Sequence, residues 1–404
     1  MYTLVSPFNQ VKTFQKFIAQ KRGGASAPLW LLQCLPLLVL RMNRGGKQGG
    51  RPHGDPALPR RLAAFTAGDR PGLWEDARAS ARRGRQIMPL QFDPLPAQRP
   101  DNRIERARKP IAAGELSSAV QALEAGAMAP RTEETLEKLQ QLHPSAEEGD
   151  LPDEWWERAR EWGGEINISK DDVMNAARRS PKAKAADRWG WRGECFQAVL
   201  HDGGVVERLT EVISRILRGD IPSGIAREMA GARLVALAKE RGGIRPIGVT
   251  DVLRRLAGRV LCSLYREDLA SQLVSPSGRV VQFAVGRQHE CQACCIATNE
   301  HLRLHPTNVA ANGDVRNAFN EAHREAMATG IAALRERGGR AMIAFFMQMY
   351  GTSSELSFFG EDGERHIVKG ERGCTQRCAL GMLMFGLATH PLVVESPSTP
   401  DVRE

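Results

Sequence analysis

No stretch of this sequence is apolar for long enough to span a bilayer as a helix. The strongest hydrophobic run, residues 28–40, is about 13 residues long, against the roughly 20 that a membrane helix needs, and Pro36 breaks it. Its distance from Met1 and the lack of a small-residue cleavage site argue against a secretory leader. The run is therefore read as a buried helix flanked by Lys21, Arg22 and Arg41. A disulfide framework is missing too: the eight cysteines are scattered, which argues against a secreted, stapled scaffold and leaves nucleus or cytoplasm open. Cys291, Cys294 and Cys295 cluster at i, i+3, i+4 in an Ala/Ile-rich stretch. That spacing predicts one apolar helix face with buried free thiols rather than zinc ligands. No internal repeat is visible.

What is present is an ordinary globular composition, 42% hydrophobic and 25% charged, with an uneven charge distribution. Residues 1–110 carry 20 Lys+Arg against 7 Asp+Glu, a surplus of 13, so the remaining residues carry about −4 of the net +9. A basic front end suits a polyanion, with nucleic acid the commonest; a solvated arm is the alternative.

Residues 42–60, rich in Gly, Pro and Arg, read as a linker, followed by a helical patch at Leu73 and Trp74 and a connector from Pro89 to Pro100. Helical periodicity starts at Arg103 and stops at Gly126–Pro130; Thr132 then opens a helix through Leu136 and Leu139 to His143-Pro144. Lys182, Lys184, Arg188 and Arg192 surround Trp189 and Trp191, a set that could hold phosphate and stack on bases, although two tryptophans more often pack. Helices are expected at Val205–Leu217 and Asp251–Leu264, the second burying Val252, Leu256, Val260 and Leu264 while Arg254, Arg255, Arg259 and Arg266 line its other side. Between them, Ala232–Lys239 and Ile244–Val249 flank a Gly-Gly pair, a hairpin signal that sets Lys239 near one end of the turn and Arg245 near the other. Thr307–Val315 is read as a strand delivering Asp314, and Asn320 as the cap of a helix carrying Met327, Ile331 and Leu334 on one face. Residues 355–369 form a second hairpin around Asp362-Gly363, and a helix runs from about Ala379 to Leu392.

The order of these features carries more than any one of them. Arg233–Lys239 and Gly242-Gly243-Ile244-Arg245-Pro246-Ile247 form a hairpin, and Asp251–Gly258 a helix. Gly313-Asp314-Val315-Arg316-Asn317-Ala318-Phe319-Asn320 comes next, then the second hairpin, then Gly373, Gln376, Leu380, Gly381 and Phe385 at fixed offsets. This succession resembles the reverse transcriptases of non-LTR retrotransposons, within the right-hand polymerase group, over residues 180–392 and more loosely over 28–165. The resemblance implies an α+β fold: a basic N-terminal region (1–110), a helical segment (111–165), helix-rich fingers (166–300) and a partial palm (301–404). It implies an RNA template, a DNA primer and deoxynucleoside triphosphates as partners. Asp314 and the Val315 carbonyl would be Mg²⁺ ligands, because hard cations favour oxygen donors. Lys239 and Arg245 would neutralise the triphosphate, Phe319 would wall the sugar, and Gln376 would offer donor and acceptor in the nucleotide pocket. Arg254, Arg255 and Arg259 would face nucleic acid.

Departures from the family pattern accompany the match. Arg377, Cys378 and Ala379 stand where the family usually has Gly, an acidic residue and Pro. The second pair of catalytic carboxylates is expected on a hairpin beyond Pro391-Leu392. The sequence there runs from Glu395 to Glu404 without adjacent Asp residues. The expectation is a truncated palm, inactive alone because nucleotidyl transfer uses two metal ions, with a downstream polypeptide or a purely nucleic-acid-binding role as alternatives.

Overall fold

The computed structural model describes residues 58–82 and 103–395, apart from positions 113, 115, 125–127, 148–149, 182–185, 240–241, 279, 284, 286–289, 311–312 and 377. The 28–40 run, most of the 42–60 linker, the Pro89–Pro100 connector, Lys182, Lys184, Arg377 and the tail after Glu395 lie outside the described residues.

The fold is α+β. Helices α1 (Leu58–Ala67), α2 (Arg70–Arg82), α3 (Arg103–Ala112) and α4 (Leu116–Glu124) come first, so the end of the expected linker is already helical. Helix α5 (Glu133–Gln141) starts at Thr132 with Glu133 and Glu134 in its first turn, where carboxylates meet the positive end of the helix dipole. Helices α6 (Glu154–Trp162) and α7 (Lys170–Arg178) follow, then α8 (Gly203–Leu217) and α9 (Ser223–Ala230). A Ser169/Asp172 capping box fixes the start of α7.

Two hairpins make the sheet. Strands β1 (Ala232–Ala238) and β2 (Ile244–Thr250) pair antiparallel, as do β3 (Ser354–Phe359) and β4 (Arg365–Gly370), in the order β2-β1-β3-β4. The hairpins meet through a short parallel contact, Ala232 opposite Leu356 and Arg233 opposite Ser357. Beyond it the free edge of β1 is covered by Met128, which bridges Leu237, and by the Ala129 N–H, which donates to the Ala236 carbonyl at 3.0 Å. Within the segment expected only to stop a helix, Met128 and Ala129 therefore also cover a sheet edge. Alternating β1 side chains put Ala232, Leu234 and Ala236 into a small core with Leu136 and Leu139 of α5, Ile244, Leu356, Phe358 and Val368.

A larger core, drawing on residues from Phe65 to Leu387, is helical. It contains α10 (Val252–Leu264), α13 (Arg324–Ala332), α14 (Met342–Tyr350) and α15 (Gly381–Glu395); α11 (Glu290–Leu304) and the short α12 (Ala318–Glu321) complete the order of labels used below. Helix α14 has no periodic stripe to read because eight of its nine residues are buried.

Three expectations are corrected here. Residues 307–310 and 313–315 form no strand and are exposed, with Val309 at 92%; among the described residues no strand pairs with them. Asn320 sits within α12, and His323 precedes α13 instead. Helix α11 forms as its spacing predicts, but Cys295 and Ile296 are exposed and Cys294 only half-buried, so these two cysteines are not the buried thiols expected. Trp191, by contrast, is buried and stacked on Phe196 with ring centroids 5.5 Å apart, the packing role favoured above.

Candidate functional site

The β1–β2 hairpin turns through Gly242 and Gly243, whose φ values of +84° and +81° suit glycine. The Lys239 N–H donates to the Gly243 carbonyl at 3.1 Å, closing the turn. Leu237 is opposite Arg245 in the register, so Lys239 and Arg245 project from the same end of the hairpin, and both are exposed.

Asp314 lies on the irregular, exposed segment that runs into α12. Within α12, Phe319 is half-buried and its ring packs against Phe385 of α15 at 5.3 Å. The loop bearing Gln376 is bonded directly to this segment: the Cys374 N–H donates to the Phe319 carbonyl at 2.7 Å. Gly373 makes that approach possible. Its φ is +63°, and a Cβ there would strike the Phe319 carbonyl oxygen and lie 2.6 Å from Asn320 Cα. The same loop abuts β2, where a Cβ on Gly248 would collide with Thr375 Cγ2. Three stretches far apart in sequence thus pack directly together.

Between them is a cleft of about 420 Å³ lined by Lys239, Arg245, Asp314, Val315, Arg316, Phe319 and Gln376, with Leu142 from the end of α5 and Asn317 also on its wall. The structure brings together all five of the residues predicted as catalytic or nucleotide-binding. Arg316 and Asn317 were missed by the sequence reading, although both lie within the quoted Asp314–Asn320 stretch; an exposed arginine two residues after the carboxylate was the available signal.

Arg254, Arg255 and Arg259 do not line this cleft, and Arg254 is buried, which corrects its expected place on a nucleic-acid surface. Arg254 is 1% exposed, donates through Nη1 to the Ala230 carbonyl at 2.7 Å, and lies over the Tyr350 ring at 4.7 Å. It terminates α9 instead of meeting a phosphate. Arg259 donates to Ser180 Oγ at 2.8 Å and is half-buried, as is Arg255. Burial lowers the pKa of both below the ordinary arginine value. Two aspartates sit at the N-terminus of helix α10. Asp251 accepts from the Leu253 and Arg254 N–H groups, and Asp187 from Val252 N–H at 2.9 Å. Both aspartates are buried, and burial, then the Asp251 charge, pushes the Asp187 carboxyl up to about 7.

As a metal site the cleft is incomplete. Asp314 is the sole carboxylate among its described lining residues, and one carboxylate does not supply the oxygen donors that a pair of Mg²⁺ ions requires. Cys374 and Cys378, beside Gln376, are buried, and burial raises the Cys374 thiol pKa well above normal. Both pack into the larger core.

No family model matches the chain. Over 232 residues, 56% of this chain, it is 24% identical to the retrotransposable element SLACS 132 kDa protein of Trypanosoma brucei gambiense, and the match spans 18% of that protein's length. This similarity supports a retroelement origin for the chain.

Proposed function

We propose that the cleft binds the triphosphate of a nucleotide in a protein of reverse-transcriptase type, and that its lining residues alone do not perform nucleotidyl transfer. The convergence of Lys239, Arg245, Asp314, Phe319 and Gln376 on one cleft carries this reading. With Arg316, the described lining residues include three cations against one carboxylate, a balance suited to a polyphosphate. Arg245 and Arg316 offer forked donors and Lys239 a compact charge. Phe319, held by Phe385, gives the sugar a flat apolar wall, and Gln376 can both donate and accept. A Mg²⁺ ion would reach Asp314 and shield phosphate oxygens. The similarity to a retrotransposon protein supports the assignment, with RNA template and DNA primer as the expected polymers.

Equilibrium titration of a deoxynucleoside triphosphate into the purified chain tests this. Arg245→Ala is expected to weaken binding about tenfold, the loss of one charge-assisted hydrogen bond. Primer extension on an RNA template with Mg²⁺ is expected to stay at the level of Asp314→Ala. Unchanged affinity in Arg245→Ala, or robust extension by the native chain, overturns the proposal.

A second reading, a nucleic-acid-binding protein without catalysis, rests on the basic 1–110 stretch. It predicts RNA affinity that falls steeply with salt and is indifferent to Arg245→Ala; a flat salt dependence removes it.

A further inference from the structure

Asn317 is, among the described residues, the only residue other than glycine with a positive φ, at φ 53° and ψ 26°. Left-handed backbone disfavours L-residues, asparagine less than most, and an occurrence beside a ligand cleft marks backbone held by its surroundings. What holds it is visible. Asn317 Nδ2 donates to the Leu142 carbonyl and to Glu321 Oε1, both at 2.9 Å. Asn320 Nδ2 donates to the same Leu142 carbonyl at 2.9 Å and to Asn317 Oδ1 at 3.0 Å. Leu142 ends α5, whose Leu136 and Leu139 pack in the small core with Ile244 at the start of β2. One carbonyl therefore joins the segment bearing Asp314 and Arg316 to the helix that braces the Lys239/Arg245 hairpin.

We infer that Asn317 is the positioning residue of this cleft. Its left-handed turn, lashed to Leu142, sets Asp314 and Arg316 opposite Lys239 and Arg245, so that the three cations address one polyphosphate. This rests on the proposed triphosphate reading. The chemistry separates two contributions, backbone and amide. Glycine accepts the left-handed turn but drops the lash; leucine drops the lash and resists the turn. In the leucine variant the binding-competent turn is populated only fractionally, and apparent affinity falls by that fraction.

Titration of inorganic tripolyphosphate into the full chain and into Asn317→Gly, Asn317→Asp and Asn317→Leu tests the inference. Asn317→Leu is expected to lose about five- to thirtyfold in affinity, matching the left-handed penalty, and Asn317→Gly to recover most of it. Asn317→Asp keeps the turn without the Nδ2 donors but adds a carboxylate facing Glu321 and the polyphosphate, so it should bind more weakly than Asn317→Gly. Equal losses in the glycine and leucine variants, or none in either, overturn the inference while leaving triphosphate binding in place. Failure of the native chain to bind tripolyphosphate defeats the triphosphate reading itself. Should Asn317→Leu not fold, the native chain against Asn317→Gly decides: Asn317→Gly binding tripolyphosphate as tightly as the native chain contradicts the lash.

Discussion

Asp187 shows how one buried side chain ties pH to stability. Its carboxylate accepts N–H bonds from Trp189, Trp191 and Val252, each at 2.9 Å, yet desolvation and the Asp251 charge outweigh them and raise its pKa to about 7. In an unfolded chain an aspartate titrates near 4, at about 3.9. Between these values the folded protein holds a proton that the unfolded chain releases. The contribution of this group is therefore fully present below about pH 4 and is lost as pH rises through about 7. Asp187→Asn cannot titrate, so the stability of the native chain relative to this variant should decline as pH rises across that window. Urea unfolding at several pH values measures it; a difference that is constant or increases with pH contradicts the assignment. Nothing in the sequence forecast this, since Asp187 and Asp251 are 64 residues apart and only the fold stacks both on the N-terminus of α10.

At the scale of elements, what was legible followed from periodicity and turn chemistry. Both hairpins form where Gly242-Gly243 and Asp362-Gly363 interrupt apolar stretches, and α5, α8 and α10 start within two residues of their expected positions. Helix α14 was illegible because a helix surrounded by core has no polar face to mark its period. The direction of the α10 arginines was illegible because a long cation reads as solvent-facing until a carbonyl such as that of Ala230 is found beside it. Helix α5 is the element on which the site depends most, since it packs under the hairpin and its end anchors Asn317. Leu139, 0% exposed, is expected to cost about 2–5 kcal/mol of stability when cut to alanine, and to weaken triphosphate binding under conditions where the chain remains folded. Thermal unfolding paired with titration checks both; a stability loss with unaltered binding would show that α5 does not brace the cleft.

Across the whole molecule, the cleft was legible only through the succession of motifs. Asp314, Phe319 and Gln376 are individually unremarkable residue types, and no periodicity joins residue 239 to residue 376. What joins them is contact: the Cys374 N–H on the Phe319 carbonyl and Thr375 against Gly248. The central claim is that these stretches serve one ligand, and a double-mutant cycle tests it most directly. Deoxynucleoside triphosphate affinity would be measured for the native chain, Arg245→Ala, Gln376→Ala and the double variant. The account predicts non-additive losses, with a coupling of about 0.5 kcal/mol or more, as for residues sharing a partner. Strict additivity, or losses in neither single variant, would contradict it.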